Sequence, residues 1–242
     1  MDSKKDWFCL KVKHPWNVSF SQAVSIQEKL REYIIREGSL AGVRRIAGVD
    51  CAYMEEEGVV SAVVCSYPDL QVIDQEIQIA RVTFPYHSGF LAFREGPLIL
   101  KVLARMKVEP DLFFFNGHGL LHPRNLGLAT HLGILLDKPS IGCARRLIKN
   151  FPAMITKDEG RVSFIEFGGE KIGAVLSSPA SRKKLFVSPG HRVSLEEAIF
   201  YVTRCFVQNL LPLPLYLAHY HASKERRELS GKNVSRKENF LS

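Results

Sequence analysis

Val43-Arg44-Arg45-Ile46-Ala47-Gly48-Val49-Asp50-Cys51-Ala52-Tyr53-Met54 is a mostly apolar run closed by Glu55-Glu56-Glu57-Gly58. Its composition and the turn-like stretch behind it read as a strand. Two more strand candidates follow, Val59–Ser66 and Gln71–Phe84, joined by Tyr67-Pro68-Asp69-Leu70. Links this short connect antiparallel neighbours, so the chain is expected to open its sheet as a three-stranded meander. The pattern then changes. Ser88–Met106 reads as a helix, Leu112–Phe115 as a short, fully apolar strand, Pro123–Leu136 as a helix with proline near its first turn, and Ser140–Ala144 as a strand. Alternating strands and helices after a meander imply parallel, buried strands. The fold class expected is α/β: a mixed sheet with an antiparallel start and then parallel strands, flanked by helices.

Outward from this centre, Ala23, Ile26, Leu30 and Ile34 recur at helical spacing, which predicts a helix over about Phe20–Arg36. Downstream, a hairpin-like pair near Lys171–Ser177 and Lys184–Val187 leads into a helix from Ser194 to about Gln208. Ser194 and Glu197 there match a capping box. With 242 residues, one domain over 1–220 is expected, followed by a polar, charged, flexible tail over 221–242. No internal repeat or domain linker is evident.

Hydrophobic content of 46% and aromatic content of 10% are those of a folded globular protein. A net charge of +8 points to an anionic partner, with nucleic acid first and an acidic membrane surface second. The cysteines (Cys9, Cys51, Cys65, Cys143, Cys205) are scattered and form no Cys-x-x-Cys, which speaks against a zinc knuckle or a redox motif. Most lie in apolar runs, as reduced thiols of an intracellular protein do. Met1–His14 carries no continuous apolar core of a secretory signal, and Leu126–Leu136 is too short to span a bilayer. A cytoplasmic location, with the nucleus or nucleolus as a further site, and a monomeric state with no membrane partner are the expectations, although nothing in the residues bears on oligomeric state.

Four places could carry chemistry, and each has an ordinary alternative. Asp50 sits within an apolar strand, where a carboxylate is costly without a cation or donor beside it; otherwise it faces solvent at a strand end. Glu95, in Phe93-Arg94-Glu95-Gly96-Pro97, is either a site acid or a surface residue paired with Arg94 or Lys101. Asn116-Gly117-His118-Gly119 follows a buried strand, where open α/β sheets place ligands, and Asn-Gly is equally a plain turn. His191, in Ser188-Pro189-Gly190-His191-Arg192 before a helix, is either part of a phosphate site or a loop histidine. Together, carboxylates on neighbouring elements can hold Mg²⁺, and a cation so held can activate water at a phosphodiester.

These strings resemble the endonuclease V family. Pro85-Tyr86-His87-Ser88-Gly89-Phe90-Leu91-Ala92-Phe93-Arg94-Glu95-Gly96-Pro97 carries most of the resemblance. Gly48-Val49-Asp50, Asn116-Gly117-His118-Gly119 through His122-Pro123-Arg124, and Ser188-Pro189-Gly190-His191-Arg192 extend it, in order, from about Trp16 to Pro214. The resemblance implies an RNase H-like fold and hydrolysis of inosine-containing nucleic acid at the second phosphodiester 3′ to the lesion, leaving 3′-hydroxyl and 5′-phosphate ends. It implies Mg²⁺, with Mn²⁺ as substitute, held by Asp50, Glu95 and the residue at Asn116. Pro85, Tyr86 and His87 would belong to a wedge that separates bases. Leu91, Gly117, His122, Gly127 and Leu128 would line the pocket for a flipped hypoxanthine. His191 would sit near the scissile phosphate or a second metal position, and Arg145 would stand where the family usually has a lysine.

The family also has an aspartate where this chain has Asn116. Asn keeps the shape and loses the charge, so the chain as written is expected to cut slowly or not at all, whether Asn116 was introduced to hold substrate or is natural. The Tyr86-His87-Ser88-Gly89 wedge resembles eukaryotic members, which points to single-stranded RNA before DNA. A non-catalytic inosine binder and another RNase H-like nuclease, such as a junction resolvase, are the rival readings.

Overall fold

The meander forms as the turns require: β1 (Arg45–Met54), β2 (Glu57–Ser66) and β3 (Val72–Arg81) run antiparallel. They belong to a computed structural model that describes residues 7–38, 40–149, 151–152, 154–157, 162–177, 183–207 and 211–238. β1 and β2 pair without a break from Arg45↔Ser66 to Met54↔Glu57. On its other side β1 takes β4 (Leu112–Phe115) in parallel, and β4 takes β5 (Ser140–Ala144). Four strands then continue the sheet antiparallel: β6 (Met154–Lys157), β7 (Val162–Phe167), β8 (Glu170–Ser177) and β9 (Lys184–His191). Among the described residues the order is β3-β2-β1-β4-β5-β9-β8-β7-β6, a single nine-stranded sheet. β6 and β7 are absent from the sequence expectation, because β7 buries Ile165 alone and so shows no alternation of apolar and polar positions.

Alternation along β1 sends its side chains to two different layers. Ala47 and Val49, with Phe113 and Phe115 of β4, pack against α2 (Leu91–Leu103) and α3 (Leu128–Leu136). Ile46, Leu112 and Phe114 face α4 (Leu195–Arg204) and α5 (Leu213–Glu238). Gly48 is on that second face, in backbone contact with α5: a Cβ there would lie 2.1 Å from the carbonyl carbon of Pro214. β4 accompanies β1 only from Ile46 to Val49, whereas β1 runs on to Met54. The sheet thus opens a notch beside Asp50.

Several boundaries move. The first helix, α1, spans Phe20–Leu30, and a 3-10 turn over Arg31–Tyr33 then gives way to extended backbone at Ile34. α2 starts at Leu91 because Gly89, at φ 83°, turns the chain just before it. α3 starts at Leu128 and not at Pro123, since Asn125 takes φ 50° and breaks the helical path. α4 begins at the expected capping box and ends at Arg204; Gln208 lies outside the described residues. The largest difference is the tail. Residues from His221 were expected to be flexible, yet α5 continues as helix to Glu238; residues 239–242 lie outside the described set. Its Ala218 and Ala222 are fully buried, Ala218 against Val63 and Cys65 of β2. Packing of that first part nucleates a helix which Lys, Arg, Glu and Leu then propagate. Among the described residues no helix is long and apolar enough to cross a membrane.

Candidate nucleic-acid cleft and carboxylate corner

Asp50 stands where β1 outruns β4, with 5% of its surface exposed. Three donors reach it. Asn116 Nδ2 donates to Oδ1 at 2.7 Å, the Cys51 amide to the same oxygen at 2.8 Å, and His219 Nδ1 to Oδ2 at 2.7 Å. Asn116 is placed by its own amide, which donates to the Val49 carbonyl as β4 ends. Glu95 comes from α2, is buried, and accepts from the Tyr53 hydroxyl at 2.6 Å. Burial pushes the Glu95 carboxyl up to about 8, against the pull of the Tyr53 hydrogen bond, and the Asp50 charge adds to the rise.

The structure thus brings together Asp50, Glu95 and Asn116, the three expected ligands, and adds two residues that the sequence reading missed. Tyr53 fixes Glu95, and His219 fixes Asp50. With Nδ1 bonded to Asp50, His219 directs Nε2 away from that carboxylate. No group of three or more His, Cys, Asp and Glu among the described residues forms a ready-made cage. Two buried carboxylates, one holding the other's pKa up, still make a donor set that a divalent cation would relieve, and Mg²⁺ needs only one or two carboxylates beside its waters. Asp50, Glu95 and the Asn116 side-chain carbonyl after an amide flip would hold it.

A cleft of about 500 Å³ opens from this corner. Asn116 is in its wall, with Gly117, Leu91, Gly127 and Leu128 behind and Tyr86 and His87 at the mouth. Gly117 packs against Leu128, where even a methyl would come within 3.1 Å of the Leu128 side chain. The cap of α3 is Gly127, with no side-chain acceptor, and the Gly127 and Ala129 amides donate instead to the Gly119 and His118 carbonyls at 2.9 and 3.0 Å. Tyr86 is 74% exposed, a large aromatic left in water at the rim. The loop that carries it is anchored at Gly89. That carbonyl accepts from His122 Nε2 at 2.9 Å, Gln27 Nε2 at 3.0 Å and Arg124 Nη2 at 3.1 Å, and Arg124 Nε donates in turn to Gln27 Oε1 at 2.7 Å.

Two expected site residues do not join this assembly. His191 is a correction. It pairs across β9 with Ser140, the first residue of β5, at the opposite end of the strand from the notch and roughly 13 Å away along it. There it is buried, accepting from the Ile35 amide and facing Asp137. The amino end of α4 beyond it is already capped by Ser194 and Glu197, which leaves no amide cradle for a phosphate. Arg145 follows β5 on the correct edge of the sheet, but its side chain is exposed and it is not among the residues lining the cleft.

His118 and His122 line the cleft as neutral rings. His118 Nε2 donates to the Arg146 carbonyl at 2.9 Å, and burial pushes its pKa down to about 4; burial likewise pushes His122 to about 3. Both folded-state values lie below the unfolded value near 6.5, so between roughly pH 3 and 6.5 the unfolded chain binds more protons. Stability contributed by the neutral rings is complete above pH 6.5 and is lost as pH falls. Each ring is expected to remove about 1.4 kcal/mol per pH unit in that window. Urea midpoints for the parent and His122→Gln from pH 7.5 to 4.5 check this: the slope should be shallower in the variant, and equal slopes would refute it.

Comparison with known proteins agrees with the geometry. The family model described as Endonuclease V matches residues 28–220. An endonuclease V of Dictyoglomus thermophilum is 38% identical over 207 residues, covering 86% of this chain and 91% of its own. The crystal structure of endonuclease V from Bacillus subtilis superposes with a TM-score of 0.85 at 30% identity, over 90% of this chain and 97% of that one. The Ciona intestinalis endonuclease V, solved in complex with a 24mer DNA containing an inosine followed by a ribo-adenosine, gives a TM-score of 0.79 at 31% identity, over 86% and 98%.

Proposed function

Because the chain belongs to the endonuclease V family of nucleases, we propose that it recognises inosine in single-stranded nucleic acid, RNA before DNA. Cleavage would fall at the second phosphodiester 3′ to the base. One observation carries this reading: Asn116 lies in the wall of the cleft and is bonded to Asp50, so the base pocket and the carboxylate corner share a side chain. A base drawn out of its stack would enter beside Gly117 and Leu128, where the glycine permits close approach. Its vacated place would be filled by Tyr86, backed by Pro85 and His87, since an exposed ring stacks on any neighbouring base. The three hydrogen bonds on Gly89 hold that loop in place before the strand arrives.

Asp50, Glu95 and His219 would then face the phosphate backbone. Bound there, Mg²⁺ or Mn²⁺ would supply charge neutralisation at the phosphodiester and a water acidic enough to attack. Tyr53 keeps Glu95 aimed at the corner, and Asp50 keeps His219 in one tautomer. Asn116 contributes shape and a hydrogen bond to Asp50 and no charge, which favours a second reading: a chain that binds inosine and releases it uncut. The RNA preference draws on the Tyr86-His87-Ser88-Gly89 wedge and on the ribo-adenosine following inosine in the Ciona complex, a 2′-hydroxyl that a protein can read. The free cysteines fit a reducing compartment such as the cytoplasm.

The test is equilibrium binding of matched single strands carrying one inosine or one adenosine, as RNA and as DNA, in the presence of Mg²⁺. Inosine RNA should bind at least about 10-fold more tightly than adenosine RNA, a difference of roughly 1.4 kcal/mol. Equal affinity for inosine and adenosine would remove the proposal. Equal affinity for inosine RNA and inosine DNA would remove only the RNA preference.

A further inference from the structure

The family match ends at residue 220, while α5 runs on to Glu238. Helix geometry decides what this extension presents. With His219 set at zero and about 100° per residue, Arg226 falls at about −20°, Ser230 at about 20°, Ser223 at about 40° and Arg227 at about 80°. Glu228 falls at about 180° and Glu225 at about 240°. The helix therefore separates its charges. The side in line with His219 carries hydroxyls and guanidiniums and, over residues 219–231, no acid. His219 is bonded to Asp50, and the buried Ala218 and Ala222 mark the sheet-facing line at about −100° and −60°. Arg226, about 60° from that line, is thus nearest the notch where β1 loses β4, and Ser230, Ser223 and Arg227 follow round the same flank toward solvent. Arg227 is exposed and Arg226 half-buried, and neither has an ion-pair partner among the described residues, whereas Lys224, off this flank, lies 3.9 Å from Glu228.

We propose that this flank of α5 is a track for the phosphate backbone of the strand whose base enters the cleft, lengthening the nucleic-acid interface beyond the part of the chain that the family model matches. The inference rests on the nucleic-acid reading above. The chemistry suits phosphate oxygens: the Ser223 hydroxyl about 6 Å along the helix from His219 and two guanidiniums from about 10 Å on, while the Ser230 hydroxyl donates to the Arg226 carbonyl. The positive charge of the whole chain, +8, agrees with it.

The experiment measures anisotropy of labelled single strands, one with inosine and one with adenosine, bound to the full chain across a salt series. In Arg226→Gln/Arg227→Gln the slope of log affinity against log salt should flatten by about 0.7 for each phosphate deprived of its guanidinium, with the ratio of inosine to adenosine affinity unchanged. Glutamine retains helix propensity, and circular dichroism checks that α5 persists. Ser223→Glu, which places a negative charge on the same flank, should weaken both strands together. An unchanged slope in the double variant overturns the proposal. So does half that flattening in Lys224→Gln, the share that one lost charge would take if the effect were one of net charge alone. If the parent fails to distinguish inosine from adenosine while the slope still flattens, the track stands and the inosine reading falls. Loss of binding to anionic vesicles, with the slope on strands unchanged, would assign the flank to a membrane surface instead.

Discussion

Asn116→Asp should raise Mg²⁺-dependent cleavage of an inosine-containing strand by about 100-fold or more, since changes to groups that merely support ligands already alter metal sites by about 10- to 100-fold. The reason lies in what Asn116 does at present. Its amide satisfies Asp50 Oδ1 at 2.7 Å, filling with a hydrogen bond a place where a cation would otherwise be needed. An aspartate reverses this. It cannot donate to Asp50, and it sets a third carboxylate beside two that are already buried. Without metal the variant should therefore be less stable than the parent by about 1–3 kcal/mol. With Mg²⁺ the loss should be recovered, so the thermal midpoint should climb with Mg²⁺ in the variant more than in the parent. Two measurements separate the ideas. No gain in cleavage, with inosine binding intact, would mean that the chain is a binder whose remaining machinery is also unfit. A thermal midpoint indifferent to Mg²⁺ would mean that Asp50, Glu95 and position 116 do not share a cation.

Gly48→Ala is expected to cost about 3 kcal/mol and to abolish inosine binding, although residue 48 touches no part of the cleft wall. Its added methyl would lie 2.1 Å from the Pro214 carbon, 2.2 Å from its oxygen and 2.3 Å from the Leu215 nitrogen. All three are backbone atoms, so no rotamer change relieves the contact and α5 must lift. His219 is on the same helix as Pro214 and would move with it, breaking the bond to Asp50. Gly58→Ala is the control. There the methyl would meet Leu98 Cδ2 at 2.3 Å, the far end of a flexible side chain, and the cost should be smaller. Urea unfolding and strand binding on both variants decide the matter; equal losses in the two would show that α5 docking does not set the site.

The meander was legible because turn chemistry and strand composition agree there: Glu55-Glu56-Glu57-Gly58 and Tyr67-Pro68-Asp69-Leu70 bracket strands that form within a few residues of expectation. Asp50 and Asn116 were legible as polar residues within and at the end of apolar runs. Glu95 was not, on its own residues, since Phe93-Arg94-Glu95-Gly96-Pro97 has the composition of any helix start; it became visible through the longer string around it. His191 was misplaced for a topological reason. β9 runs antiparallel to β5, so a residue late in β9 lands at the early end of β5, and no local pattern reports strand direction. His219 was missed for a related one: its partner is 169 positions away. The same distance hid the order in α5, whose polar sequence is helical because its first turns dock on β1 and β2.

The position of α5 in the chain has a consequence for how the protein comes into being. The nine described strands are translated before it, and the sheet can assemble while Asp50 is still without His219. A nascent chain folded through β9 would hold the cleft with Tyr86 and Glu95, yet lack one of the three donors to Asp50. The corner around Asp50 is therefore complete only once α5 has docked. Chains arrested before α5 should hold the folded sheet while lacking the His219–Asp50 bond.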